Sequence, residues 1–300
     1  MFTATYNLSA QIKAKLDKID RFYREIVLVP LSPKIESQLK WSATLAHIEG
    51  WATLANQPLS KNNIIDIFER LHAKHTSEQV TKVLRYKDAL TYIREFWSAN
   101  PTPVTFSSIK ELANILGVQP GSQPEIESLL TYLQTGSMHP VIQAAIVQVS
   151  FYPSRLAHLT SLLFLARYGY DLRGYLALED FWSLDKDNYL SAVQKAVKSE
   201  NVTTWLEYFC EAVIVQMTKV QSAIGNTVTL IDQGITKHIT VRQKAILANL
   251  EKPGLSITNR QVQAMFNISQ VTASRDLAGL AKAGFLVSHG LGRSTSYTKI

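Results

Sequence analysis

The chain has 300 residues, 46% of them apolar and 18% charged, with a formal net charge of +7. That length is enough for about two domains, each with its own core, and the composition is that of an ordinary soluble globular chain. No apolar run approaches the roughly 18–20 residues that span a bilayer, and the N-terminus MFTATYNLSAQIKAKLDK lacks the basic-then-apolar layout of a signal peptide, so a cytoplasmic chain with no membrane association is expected.

In chain order the apolar spacing reads as helix after helix. Ser9 caps a first helix carrying Ile12, Leu16, Ile19, Tyr23 and Ile26 at steps of three and four, and Pro30 and Pro33 end it. A second helix starts near Ser32 and runs through Ile35, Leu39, Ala43 and Ala46. Further helices are expected from Ser60 in LSKNNIIDIFERLHAKH, in VLRYKDALTYIREFW, in FSSIKELANILG after the break SANPTPV, and in EIESLLTYLQTG after the short loop VQPGSQP. His139-Pro140 opens the next, with Pro in a first helical turn, and Tyr152-Pro153-Ser154 interrupts it. Arg155 to Tyr168 follows, apolar on most faces and therefore central, and Gly169 stops it. LALEDFWSLDKDNYLSAVQKAV and TTWLEYFCEAVIVQMTKVQSAIG supply two more helices. The single cysteine, Cys210, cannot form an internal disulfide, which fits a reducing compartment, and its apolar surroundings mark it as a buried small residue rather than a nucleophile.

The last 64 residues differ in charge. Residues 237–300 hold nine Lys or Arg against two acids, a net of +7. Of the chain's 31 basic and 24 acidic residues, the first 236 therefore keep 22 of each and are neutral. A basic module behind a neutral body points to a polyanion, above all double-stranded DNA. Its pattern supports this. TVRQKAILANLE is a helix with Val241, Ala245, Ile246 and Leu250 on one face. Thr258 caps a short helix, Asn259 to Phe266, and NIS makes a tight turn. Ser269 then caps a helix through Ala283, with Ala273, Leu277 and Leu280 inward, and Gly284 stops it. FLVSHG and STSYTKI alternate as two strands around GLGR. This is the grammar of a winged helix, whose second turn-motif helix enters the major groove. Gln270, Thr272 and Ser274 are assigned to base edges, and Arg275, Lys282 and Arg293 mainly to phosphates.

VTFSSIKELANILG, HPVIQAAIVQVSF, RLAHLTSLLFLARYGYDLRGYLALEDFW, NYLSAV and WLEYF together resemble the Fic family, in its bacterial subgroup with a C-terminal winged helix. The resemblance implies a mainly α fold: a helical Fic-like domain followed by a winged helix-turn-helix domain. It also implies transfer of AMP from ATP to a protein hydroxyl, through a loop of pattern H-P-F-x-[D/E]-G-N-G-R whose His is the base and whose acid holds magnesium. That loop would lie between IVQVSF and RLAHLTSLL, where this sequence has only YPS; Arg155 alone matches its last position, and His158 stands where a second Arg is usual. His139-Pro140 lies one helix upstream, roughly 18 Å away by helical rise, and reads as a helix opener. The family's inhibitory motif [S/T]-x-x-x-E-[G/N] is similar to HIEG at 47–50, but Leu45 would fill its Ser/Thr place. Anchored on PLS at 58–60 instead, Trp51, Ala55 and Asn56 fall on it. VQPGSQP leaves little room for the family's β-hairpin flap.

The expected organisation is an N-terminal helical region over 1–98, a Fic-like core without its catalytic loop over 99–236, and a winged helix over 237–300. The leading expectation is a DNA-binding regulator on a catalytically inactive scaffold, with no catalytic residues, no metal and no cofactor, the body acting as a homodimer or protein-contact platform. One alternative is an adenylyltransferase with residual activity that uses ATP and magnesium, with His158 as replacement base. The other is a non-catalytic antagonist of an active Fic relative.

Overall fold

A computed structural model describes residues 4–69, 77–99, 102–134, 136–199, 201–232, 240–250, 255–282, 285–289 and 295–299. Polar caps start most of the helices. Ser9 Oγ accepts from the Ile12 amide at 3.2 Å and opens α1 (Ala10–Val27), which buries Ile12, Leu16, Ile19 and Ile26. Ser32 caps α2 (Pro33–Leu54), which continues through HIEG as unbroken helix. Then come α3 (Lys61–Glu69), α4 (Glu78–Ala99), α5 (Phe106–Leu116) and α6 (Gln123–Gln134). A reciprocal Thr105–Ser108 capping box begins α5, and Gly117 ends it in the left-handed conformation at φ 66°.

The centre is the helical hairpin of α7 (Pro140–Phe151) and α8 (Leu156–Arg167), and its position follows from composition. Ten of the twelve residues of α7 and nine of the twelve of α8 are buried, because the apolar and small side chains run round both helices. Tyr152 is extended ahead of Pro153, the Tyr152–Pro153 peptide is cis, and Ser154 Oγ accepts from the Leu156 amide. Around the hairpin pack α9 (Leu178–Leu184), α10 (Lys186–Lys198) and α11 (Thr203–Asp232). Trp182, Tyr189, Trp205 and Phe209 form an aromatic cluster there, and the Trp205 indole donates to the Ala145 carbonyl at 2.8 Å. Cys210 is buried, as expected. Among the described residues no helix is long and apolar enough to cross a membrane.

The remainder contains α12 (Val241–Ala248), β1 (Ser256–Thr258), α13 (Asn259–Phe266), α14 (Gln270–Lys282), β2 (Leu286–His289) and β3 (Ser296–Lys299). The sheet order is β1–β3–β2, antiparallel throughout, with Ile257 opposite Tyr297 and Val287 opposite Thr298. A separate small core of Ile246, Leu250, Ile257, Val262, Ala273, Leu277, Leu280, Phe285 and Leu286 holds it. This module leans on the body through one seam: Val287 packs on the body's core, Lys34 Nζ lies 3.3 Å from the Phe285 ring centre, and His289 Nε2 is 3.2 Å from Glu69 Oε1.

Several expectations change. LALEDFWSLDKDNYLSAVQKAV forms two helices rather than one, because Asp185 leaves helical geometry and its carboxylate caps α10 at the Asn188 amide. The expected two-stranded hairpin is a three-stranded sheet. Its extra strand, Ser256–Thr258, runs straight into the Thr258 cap, so the cap signal conceals it. Val241 is 85% exposed, since α12 begins there and its first turn overhangs the small core, where half-buried Leu247 packs instead. The expected boundary at 98/99 falls in the last turn of α4, and that at 236/237 lies outside the described residues, as do Ala283, Gly284 and the GLGR tip.

Candidate functional site

At the N-terminal end of α8, where the catalytic loop is expected, the structure has an open cleft of about 740 Å³. The α5–α6 loop, from Gln119 to Ser122, forms one wall, and Ser150 to Ser154 forms the other. The VQPGSQP segment and the Tyr152-Pro153-Ser154 segment thus face each other across the cleft. Glu125 is the one ionisable side chain on the lining apart from Tyr152, and it is an acid. A polyphosphate entering this cleft would meet a carboxylate and no cation among the lining residues. Arg155, the single match to the motif, sits at the N-cap position of α8 outside the lining; its charge acts on Glu78.

His139 and His158 both have structural partners. His139 Nδ1 accepts from the Val141 amide at 3.2 Å and Nε2 is 3.1 Å from Asp20 Oδ1, so it caps α7 and ties it to α1. His158 Nε2 is 2.8 Å from the Tyr189 hydroxyl, and desolvation holds its imidazole below the usual range. A general base needs the opposite environment, open to a substrate proton.

Sequence reasoning missed the buried centre beside His158. Glu179 is 2% exposed and receives two short contacts, from His47 Nδ1 at 2.6 Å and the Tyr86 hydroxyl at 2.6 Å. Burial alone would raise its carboxyl pKa, but the charge and hydrogen bond of His47, the charge of His158 and the Tyr86 hydrogen bond outweigh this and bring it down to about 2. Gly50, the glycine of HIEG, lets α2 approach this point: a Cβ there would stand 2.5 Å from the Glu179 backbone carbonyl. Glu49 points away, 3.7 Å from Lys61 Nζ. The available signal was phase: His47 lies one helical turn after the inward Ala43, and Glu179 flanks the inward Leu178.

In the C-terminal module, α14 carries five of the six expected contact residues. Gln270, Ser274 and Arg275 are exposed on its N-terminal half beside Val271, which is 59% exposed and was not singled out by the sequence. Thr272 differs from expectation: it is half-buried, with its hydroxyl 2.9 Å from Ser269 Oγ in the capping turn. Lys282 is exposed in the last turn, roughly 18 Å along the axis from Gln270. Arg293 lies outside the described residues. Beneath this face, buried Asp276 accepts from Arg242 Nε at 2.5 Å, so one of the module's nine cations is spent internally. Arg260 and Lys244 are exposed on α13 and α12.

One trio has metal-ligand character among the described residues. Asp66, Glu69 and His289 each bring a ligand-type atom to within 4.8 Å of the others, on the seam between body and module. Asp66 and Glu69 share one turn of α3. His289 Nε2 is already 2.6 Å from Thr298 Oγ1 as well as 3.2 Å from Glu69 Oε1, so the trio lies in polar contact across the seam.

No family model matches the sequence, and no curated protein does. Solved structures do. The chain is similar to a Fic family protein from Desulfovibrio desulfuricans G20 at 11% identity, with a TM-score of 0.62 over 100% of this chain and 98% of that one. It is also similar to a Fic domain containing signaling protein from Bacteroides thetaiotaomicron VPI-5482 at 17% identity, with a TM-score of 0.54 over 72% of this chain and 98% of that one. The chain has the Fic fold, and the first likeness runs through the C-terminal module as well as the body.

Proposed function

We propose that this Fic-fold chain is a DNA-binding regulator whose helical body does not transfer AMP. The observation that carries the reading is the partition of charge: a body with 22 cations and 22 anions, and a C-terminal module with nine cations against two acids. The element order α12–β1–α13–α14–β2–β3, with its β1–β3–β2 sheet, supports reading the module as a winged helix. In that reading α14 is the recognition helix. Gln270 and Ser274 meet base edges, Val271 offers an apolar contact to a thymine methyl, and Arg275 and Lys282 hold phosphates, as does Arg293 in the wing. Thr272 acts first through its cap. The acidic, cation-free lining of the cleft beside Pro153 supports an inactive body, because nothing there balances a triphosphate. The body then serves as a platform for a second copy or a protein partner.

Anisotropy titrations of duplex DNA test this. The full chain binds, and its affinity falls steeply with added salt as phosphate contacts release counterions. A chain ending at Asp232 loses binding by about a hundredfold or more. Equal binding by both chains would remove the module from DNA recognition. Tight, magnesium-dependent ATP uptake at the α7–α8 junction would overturn the inactive body.

A further inference from the structure

A second large pocket, of about 590 Å³, lies at the opposite, C-terminal end of α8. Four cations from four separate segments line it: Lys40 of α2, Arg94 of α4, Arg167 of α8 and Arg173 of the turn that follows. The body as a whole is electrically neutral, so this gathering is local. Like charges brought together repel, and a bound anion would relieve that repulsion.

Part of that anion is supplied from within. Asp171, also on the lining, interacts electrostatically with Arg94, and Arg173 Nη1 pairs with Glu36 Oε1 at 3.1 Å. Arg94 further donates to Thr44 Oγ1 at 2.6 Å and to the Gly174 carbonyl at 3.3 Å. The Arg173–Glu36 pair accounts for its own charge, and the Asp171 carboxylate acts on Arg94. Lys40 and Arg167 have no ion pair among the described residues: Arg167 donates to the neutral Gln134 and lies 4.9 Å from the Tyr168 ring centre. The pocket therefore presents two uncompensated cations beside an aromatic wall.

The turn that shapes this mouth is conformationally costly. Leu172 and Arg173 have φ of 54° and 61°, and Gly169 and Gly174 flank them at 79° and 85°. A Cβ on Gly174 would stand 2.8 Å from Arg94 Nε, so that glycine admits the guanidinium. Strained backbone of this kind persists where the surroundings over-determine it, and it gathers at ligand clamps.

We propose that this pocket binds a phosphorylated small molecule, with its phosphate on Lys40 and Arg167. A phosphomonoester carries a charge of about −2 near neutral pH, which matches the two uncompensated cations. Arginine recognises phosphate through its planar fork and lysine as a point charge. The volume exceeds what a bare ion fills and lies in the range of small-molecule sites. This site is independent of DNA binding by the module.

Calorimetric titration of the full chain with cytidine 5′-monophosphate, cytidine and inorganic phosphate tests it. The nucleotide binds with a Kd of about 1 mM or tighter, and cytidine does not saturate. Lys40→Gln and Arg167→Gln each weaken the nucleotide about tenfold, with unchanged melting temperature for Lys40→Gln, while Arg275→Ala binds it as the parent does. Absence of saturation by nucleotide up to about 10 mM overturns the proposal. So does equal binding of nucleotide and nucleoside, or retained affinity in Lys40→Gln. Inorganic phosphate binding as tightly as the nucleotide would make this a bare-anion site and overturn the small-molecule assignment. Loss of binding in Arg275→Ala would move the phosphate to the module.

Discussion

In the body the decisive charges are inside. Glu179 is sealed between His47 and Tyr86 under the aromatic cluster, and Arg94 is threaded past Gly174 beside Asp171. In the C-terminal module one acid, Asp276, is buried against Arg242, and the cations Arg260, Arg275 and Lys282 stand in solvent. The contrast shows two uses of the same residue types. A buried, paired charge specifies one packing and costs heavily if its partner is lost. An exposed cation contributes little to folding but remains available to a polyanion.

The contrast breaks most sharply at Glu179. Glu179→Ala leaves His47 and Tyr86 without their acceptor and should destabilise the chain by about 3–5 kcal/mol, read by denaturant unfolding. Because its folded pKa lies below the ordinary value, the Glu179 contribution is fully present above pH 4.5 and is lost as pH falls toward about 2. Glu179→Gln should flatten that part of the pH–stability curve; an unchanged acid limb would mean the carboxylate is not the titrating group. Arg275→Ala tests the opposite case. It should weaken DNA binding about equally across sequences, lower the salt slope by about 1 and leave the melting temperature unchanged. A fall in stability equal to the loss of affinity would merge the two regions' uses of charge.

Smaller effects sharpen the picture. Thr258 Oγ1 accepts from the Gln261 amide in a reciprocal capping box, so Thr258→Ala should cost the module about 1 kcal/mol, visible as faster amide exchange in α13 while α7 and α8 keep their protection. At the seam, Glu69 is partly exposed, and Glu69→Gln should change stability by less than about 1 kcal/mol. A larger loss would show that the small module depends on the body for its fold.

Ser9, Thr258 and the Pro140 opening were legible because caps and proline act through bonds to residues two or three positions away. The central place of α8 was legible because a helix apolar on most of its faces is interior. The split at Asp185 and the strand Ser256–Thr258 were not, since each was hidden behind an adjoining helical signal.

By itself the sequence determined most of the helices, the resemblance that proved to be a shared fold, the break at Tyr152-Pro153-Ser154, and the gathering of net charge in the last 64 residues. Only the tertiary structure decided that Glu179 meets His47 and Tyr86 across 132 and 93 residues of chain, that Lys40, Arg94, Arg167 and Arg173 share one cavity, and that Phe285 meets α2 and His289 meets α3. Caps and periodicity are short-range and written in local order. Charge pairing across a core depends on distances between segments far apart in the chain, and those exist only once the helices have packed.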